Sequence, residues 1–207
     1  MSRRIAAVLA MAGQPTSAPP GIDPHAFALA LIEDAADGLN DLDQCESAII
    51  ACPPAYAAAL RSMRWPGSHG ATVEAGETAQ TTAAALAAVH QLGASDAVVV
   101  AGDAPDLPGL LVGKLFSALT GADIAVCPAH VGLVALAARL PAAQWFLDAG
   151  VGLDTAGALA QLTAAAPRAD ALVVVSGWHR LRTPDDIRFL DYGLEGWDAT
   201  RALLGGY

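Results

Sequence analysis

The sequence has very little positive charge. Lysine occurs once in 207 residues, at Lys114, and the arginines are scattered, so the formal net charge is −10. Proteins that bind nucleic acid or an anionic membrane surface concentrate Lys and Arg into a patch or stripe. The sequence contains no such stripe, and we therefore expect neither nucleic acid nor a membrane among its partners.

Metal-type cysteine spacings and long apolar runs are also missing. The three cysteines, Cys45, Cys52 and Cys127, lack the paired spacing of a zinc site, and an odd number of cysteines is typical of reduced thiols in the cytoplasm. No apolar run approaches the ~20 residues that a membrane-spanning helix needs. We therefore expect a cytoplasmic protein.

The first residues allow two interpretations. The segment "MSRRIAAVLAMAGQPTSA" has two arginines, an apolar run and small residues, which is the outline of a secretory signal. The apolar run is short, however, and the β-branched residues Ile5 and Val8 suit a strand. We favour a first strand over residues 4–10, because the later segments resemble a fold that needs it.

Three common catalytic or nucleotide-binding motifs are absent. No GxGxxG follows the first predicted strand, so a dinucleotide-dependent oxidoreductase is not supported. No GxSxG nucleophile elbow occurs. The only lysine lies within a predicted helix rather than in a phosphate-binding loop, which excludes a P-loop.

Strand and helix patterns alternate along the chain. Hydrophobic residues make up 54% and charged residues 15% of the sequence, which is typical of a folded protein. Strands are predicted at 4–10, 47–53, 71–76, 97–101, 123–128, 131–140 and 171–176. Helices are predicted from Pro24, at 54–63, 78–92, 108–120, 154–166 and 183–191, and near the end of the chain. The alternation predicts one three-layer α/β/α domain over residues 1–207, with a mostly parallel central sheet.

Two aspartates follow the most strongly predicted strand. In "VVVAGDAPDLPG" (98–109), Asp103 comes directly after the strand and Asp106 three residues later. Ligands of open α/β sheets bind at the carboxyl ends of the strands, and two neighbouring carboxylates there can hold Mg²⁺ or Mn²⁺. Acidic residues are also common in turns, so the spacing leaves a metal site and a simple acidic turn both open.

Three segments carry a resemblance to a known family. "VVVAGDAPDLPGLLVGKLFSAL" resembles the "GSDCPDLTP" segment of bacterial glycosyltransferase-like proteins. Those proteins are similar to the GT-A nucleotide-sugar transferases and to small nucleotidyltransferases such as phospholactate guanylyltransferase. "ADIAVCPAHVGLVALA" resembles their "DVVLGPAEDGGYYLIG", and "HRLRTPDDIRFL" resembles their "RDVDTPEDL". The segments occur in the same order, and the similarity extends from Arg4 to about Asp191.

The resemblance implies a GT-A, or nucleotide-diphospho-sugar transferase, fold and a nucleotide or nucleotide-sugar ligand. Asp103 matches the aspartate that binds a metal bridging the donor phosphates, and Asp106 matches the second acidic residue. Gly102 and Gly13 are candidate substrate-binding positions, with backbone N–H groups near Gly13 able to cradle a phosphate. His130, in a turn where the family has its site, is a candidate base or substrate contact; the alternative is a solvated turn histidine.

The sequence departs from the family pattern at several positions. The loop "GQPTSAPPG" after the first strand has no Lys or Arg. Val131 replaces an acidic residue, Leu133 replaces a glycine, and Arg180 and Arg182 replace two aspartates.

Two interpretations of these departures remain open. In the first, the chain is a catalytically inactive relative that acts as a binding or partner protein. In the second, it is a metal-assisted transferase in which Arg180 and Arg182 contact a diphosphate, because arginine suits bidentate phosphate binding. The apolar end "ALLGGY" suits packing on the core and packing in a homo-oligomer equally well.

Overall fold

A seven-stranded sheet forms the middle layer of the computed structural model, which describes residues 2–12, 18–193 and 195–205. The strands are β1 (Arg4–Met11), β2 (Glu46–Cys52), β3 (His69–Thr72), β4 (Asp96–Ala101), β5 (Ile124–Pro128), β6 (Leu133–Arg139) and β7 (Leu172–Val174). Their order in the sheet is β3-β2-β1-β4-β6-β5-β7. Of the seven described strands, β6 alone runs antiparallel to its neighbours, β4 and β5. The prediction of a mostly parallel sheet is confirmed.

Helices cover both faces of the sheet. They are α1 (Pro24–Asn40), α2 (Thr78–Gln91), α3 (Gly109–Ala118), α4 (Gln144–Ala149), α5 (Ala158–Ala165) and α6 (Asp198–Leu203). α1 and α3 pack on one face, whereas α2, α4 and α5 pack on the other. The result is the predicted α/β/α layering. Among the described residues, no helix combines the length and apolar character needed to cross a membrane.

The segment that has the outline of a secretory signal contains a central strand, β1. In β1, Ile5 and Leu9 face one hydrophobic cluster, and Ala6 and Val8 face the other. A strand buried on both faces has a continuous apolar run rather than an alternating one, which explains why the sequence of β1 resembles a short signal.

Several elements differ from their predicted forms. Residues Pro54–Ala58, Arg61–Met63 and Pro184–Phe189 form 3₁₀ helices instead of α-helices. The third strand begins and ends earlier than expected, and α5 begins four residues later, after Gly157, whose φ is +68°. Helix α4 was not predicted, because its six residues are too few to show helical periodicity.

Helix α6 docks on α1 through one buried carboxylate. Asp34 of α1 is 2% exposed. It accepts hydrogen bonds from Ala199 N at 2.9 Å and Thr200 N at 2.7 Å, two amide groups in the first turn of α6. Burial raises the pKa of the Asp34 carboxyl to about 6, although these hydrogen bonds partly oppose the shift.

Asp34 should make the protein less stable as the pH rises from about 4 to 6. In this range the folded chain still holds a proton on Asp34, with a pKa of about 6, whereas the unfolded chain has released it near its ordinary pKa. The free energy of unfolding is therefore highest below pH 4 and falls by roughly 3 kcal/mol as the pH rises through 6. Urea unfolding at pH 4.5 and pH 7 should show about two thirds of this loss, roughly 2 kcal/mol, because the unfolded carboxyl is already mostly ionised at pH 4.5.

The matched variant for this experiment is Asp34→Asn, which keeps an acceptor oxygen and cannot ionise. We expect its unfolding free energy to change less between the two pH values than that of the wild type. An identical pH dependence in both proteins would show that Asp34 does not titrate in this range.

Candidate functional site

The sheet order changes direction between β1 and β4, and the carboxyl ends of these strands form the crevice where ligands of such sheets bind. Gly102 lies there, buried against α1: a Cβ at this position would lie 3.0 Å from Ile32 Cγ1 and 3.2 Å from Leu9 O. The structure therefore gives Gly102 a packing role. Gly13, the other candidate glycine, lies outside the described residues.

Asp103 forms a buried, two-pronged ion pair with Arg180. Arg180 Nε donates to Asp103 Oδ1 at 2.5 Å, and Arg180 Nη2 donates to Asp103 Oδ2 at 2.9 Å. The Asp103 side chain is 9% exposed and that of Arg180 is 3% exposed. Leu181 N also donates to Asp103 O at 2.8 Å. These contacts attach the segment after β7 to the end of β4.

The second carboxylate partner of Arg180 is Asp154, in the segment between α4 and α5. Arg180 Nη1 donates to Asp154 Oδ1 at 2.7 Å, to Leu133 O at 3.1 Å and to Leu153 O at 3.3 Å. Burial would raise the pKa of Asp154, but the charges of Arg180 and Arg182 outweigh it and hold that pKa below its usual value. Burial opposes the charge of Arg180 as well, and the two carboxylates nevertheless raise its pKa.

Arg182 completes the cluster and also reaches the surface. Its Nε donates to Asp103 Oδ2 at 3.2 Å and its Nη2 donates to Asp154 Oδ1. Its side chain is 30% exposed. Within the described residues, the Nη1 group of Arg182 makes no hydrogen bond. We call Asp103, Asp154, Arg180 and Arg182 the Arg–Asp cluster; its two cations and two anions balance.

Asp106 holds the segment after β7 from a second point. Its side chain is completely buried. Oδ1 accepts from Trp178 Nε1 at 3.1 Å, and Oδ2 accepts from Asp191 N at 3.3 Å. His179 Nε2 lies 2.9 Å from Asp106 Oδ1, although the two groups are not aligned for a hydrogen bond.

The predicted Mg²⁺ or Mn²⁺ ligands do not fit a metal ion in this arrangement. Both oxygens of Asp103 accept from guanidinium groups, and both oxygens of Asp106 accept from N–H groups. A second cation beside Arg180 would be repelled. Among the described residues, no three His, Cys, Asp or Glu side chains converge as a metal site.

A pocket of about 700 Å³ opens beside the Arg–Asp cluster; we call it the edge pocket. Its lining residues are Ala129, His130, Val131, Trp178, His179, Arg180, Arg182, Thr183, Asp186, Arg188 and Phe189. The rings of Trp178 and His179 stack with centroids 4.9 Å apart.

The structure brings three predicted site residues, His130, Arg180 and Arg182, to the edge pocket. His130 is exposed in the turn between β5 and β6. Val131 lies beside it and is 49% exposed, whereas Leu133 is completely buried in β6. Val131 therefore lines the pocket and Leu133 packs within the sheet. Neither residue fills the pocket.

Sequence analysis assigned Asp154 only to the start of a predicted helix and missed its place in the site. The structure places it 51 residues along the chain from Asp103 and against the same arginines. Charge was the sequence signal that could have pointed to Asp154. The chain has 21 acidic and 11 basic residues, and two neighbouring arginines need nearby carboxylates if they are buried.

Comparison with solved structures identifies the fold. No family model matches the sequence, and no curated protein matches it significantly. A Desulfovibrio desulfuricans protein, a proposed nucleotide-diphospho-sugar transferase, aligns with a TM-score of 0.71 and 16% identity over 100% of this chain and 99% of its own. The 4-diphosphocytidyl-2C-methyl-D-erythritol synthase of Anaerococcus prevotii aligns with a TM-score of 0.67 and 13% identity, covering 98% of this chain and 96% of its own.

A third similar structure is the manganese complex of the Mycobacterium tuberculosis protein Rv0371c, with a TM-score of 0.52 and 20% identity over 99% of this chain and 98% of its own. At these identities the likeness establishes the fold. The chain has the nucleotide-diphospho-sugar transferase fold, which confirms the expectation drawn from the three sequence segments.

Proposed function

We propose that this protein is a transferase that binds a nucleotide or nucleotide-sugar in the edge pocket. The phosphates of the ligand would lie against Arg182. Arg182 carries the proposal, because Asp103 and Asp154 hold it in place while its side chain, 30% exposed, lines the edge pocket. Guanidinium groups positioned in this way suit the planar, two-point recognition of phosphate oxygens.

The edge pocket supports this ligand class by its size and its walls. Its volume of about 700 Å³ lies within the range of small-molecule sites, roughly 300–1,000 Å³. Trp178 and Phe189 offer flat apolar surfaces to a sugar or base ring. The guanidinium of Arg188 lies 4.8 Å from the centroid of the Phe189 ring and adds a second cation to the same wall.

The two predicted arginines take different roles in this proposal. Arg180 is buried and its contacts are with protein oxygens, so it acts as a positioning residue for Arg182. His130 lies exposed at the rim of the pocket, where it is placed to contact the ligand or accept a proton. No divalent metal is assigned a step, because Asp103 and Asp106 are already occupied by N–H donors.

Substitution of Arg182 tests the proposal. Calorimetric titration with a panel of nucleoside diphosphates and nucleotide-sugars should identify a ligand, and Arg182→Met should weaken its binding about 10- to 100-fold. This is the loss expected when charge-assisted hydrogen bonds worth roughly 1.5–3 kcal/mol are removed. Arg61→Met is the matched control, because Arg61 lines a different pocket, and its affinity should equal that of the wild type.

One observation favours a second candidate, a catalytically inactive relative that serves as a binding or partner protein. Asp103, which the resemblance makes the metal-binding residue, is neutralised by Arg180 and Arg182. The same titration tests the nucleotide binding that the first candidate requires and a partner protein does not. If a folded wild-type protein binds no member of the panel, the transferase-type proposal is wrong and the search turns to protein partners.

A further inference from the structure

We infer that Arg180 fills an all-oxygen cradle suited to a divalent cation, and that the guanidinium is a built-in replacement for such an ion. The inference concerns the chain's own residues and stands without the proposed function. One consequence rests on the proposed function: the affinity for the nucleotide ligand should not depend on divalent cations.

The Arg180 guanidinium is surrounded by five oxygen atoms. Asp103 supplies Oδ1 at 2.5 Å and Oδ2 at 2.9 Å, and Asp154 supplies Oδ1 at 2.7 Å. The backbone carbonyls of Leu133 and Leu153 lie at 3.1 Å and 3.3 Å from Nη1. Carboxylates and backbone carbonyls are the ligands that Mg²⁺, Mn²⁺ and Ca²⁺ prefer. The same set also satisfies a guanidinium, which has five N–H donors and no acceptor.

Contacts that do not involve Arg180 hold the backbone segments on one side of the cradle. Leu153 O also accepts from Leu133 N at 2.7 Å. Leu153 N donates to Thr82 Oγ1 at 3.1 Å, and Asp154 N donates to Thr78 Oγ1 at 3.0 Å. The two threonines lie on α2, so this helix fixes the position of residues 153 and 154. Removal of the guanidinium would therefore leave the two carbonyl oxygens and the backbone of Asp154 in place.

The charges require a cation at this point. Asp103 and Asp154 bind the same two guanidinium groups where their side-chain exposure is 9% and 25%, and two carboxylates around one site repel each other without positive charge between them. Arg182 supplies one charge from the solvent side. With Arg180 present the cluster is neutral; without it one negative charge and an empty space remain, which attract a small cation.

Manganese binding, measured by electron paramagnetic resonance with the metal alone, tests the inference. The wild-type protein should bind no stoichiometric Mn²⁺. Arg180→Ala should bind one Mn²⁺ per chain and show a higher Tm when Mn²⁺ is added, whereas Arg180→Ala combined with Asp103→Asn should lose most of that affinity. Arg61→Ala is the control for loss of an arginine elsewhere and should behave as the wild type.

Either of two results obtained with folded proteins would overturn the inference. One is a wild-type protein that binds one Mn²⁺ in a manner abolished by Asp103→Asn. The other is a folded Arg180→Ala variant that binds no Mn²⁺. If Arg180→Ala does not fold alone, refolding with Mn²⁺ decides: recovery of the fold supports the cradle, and failure to recover it contradicts the cradle. No nucleotide is present in these measurements, so their outcome is independent of the titration in the preceding subsection.

Discussion

Arg180→Met should destabilise the folded protein by about 3–5 kcal/mol, the usual cost of removing one partner of a buried ion pair. Arg180 is 3% exposed at its side chain and pairs with both Asp103 and Asp154. Methionine fills a similar volume but leaves the Asp103 carboxylate with Arg182 as its single cationic partner. Urea unfolding at pH 7 gives the free energy directly.

Arg182→Met is the matched comparison for this prediction. Its side chain is 30% exposed, so solvent compensates the carboxylates when it is removed, and the expected cost is about 1 kcal/mol or less. The double variant Arg180→Met with Asp103→Leu removes a charge of each sign and should recover part of the stability lost by Arg180→Met alone. Equal losses for Arg180→Met and Arg182→Met would show that burial of Arg180 does not matter.

Gly132→Ala should cost about 2–5 kcal/mol, the second large effect we expect. Gly132 ends the turn between β5 and β6 with φ of +74°, and a Cβ there would lie 2.3 Å from Leu153 O. That carbonyl belongs to the backbone of the segment that carries Asp154, so relief of the clash requires the whole segment to move. The substitution should lower stability and also disturb the Arg–Asp cluster.

Gly150→Ala provides the control for backbone strain alone. Gly150 has a similar positive φ, +61°, but a Cβ there meets nothing within 4 Å. Its expected cost is therefore only the left-handed conformation of an alanine, about 1–2 kcal/mol. Thermal unfolding of both variants measures the difference. If the two substitutions cost the same, the contact with Leu153 O is not a constraint on the fold.

The parts of this protein that sequence analysis predicted well are those set by local patterns. β1 and β4 are apolar runs buried on both faces, and such runs are visible without knowledge of their partners. Helix α1 begins as expected, with Asp23 Oδ1 accepting from Ala26 N at 2.8 Å. Thr183 and Asp186 form the expected N-terminal cap of the helix Pro184–Phe189, although that helix is 3₁₀ rather than α.

The chemistry of the site was less predictable, because it depends on contacts between distant residues. The sequence placed Asp103 at a strand end and Arg180 and Arg182 near the end of the domain, and left open whether these side chains bind a metal, a diphosphate or each other. Asp103 and Arg180 are 77 residues apart, and Asp154 comes from a third segment held by α2. No local pattern encodes which of these charges meet.

The sequence by itself determined the layered α/β architecture, the position of β4 and its carboxylates, and the departures from the family pattern. Those features follow from hydrophobic periodicity and from residue types at particular positions. Only the tertiary structure decided that Arg180 is buried against Asp103 and Asp154 while Arg182 stays partly exposed and lines the edge pocket. The physical reason is that pairing and desolvation of charges depend on distances between segments, which are set by packing of the whole sheet and its helices.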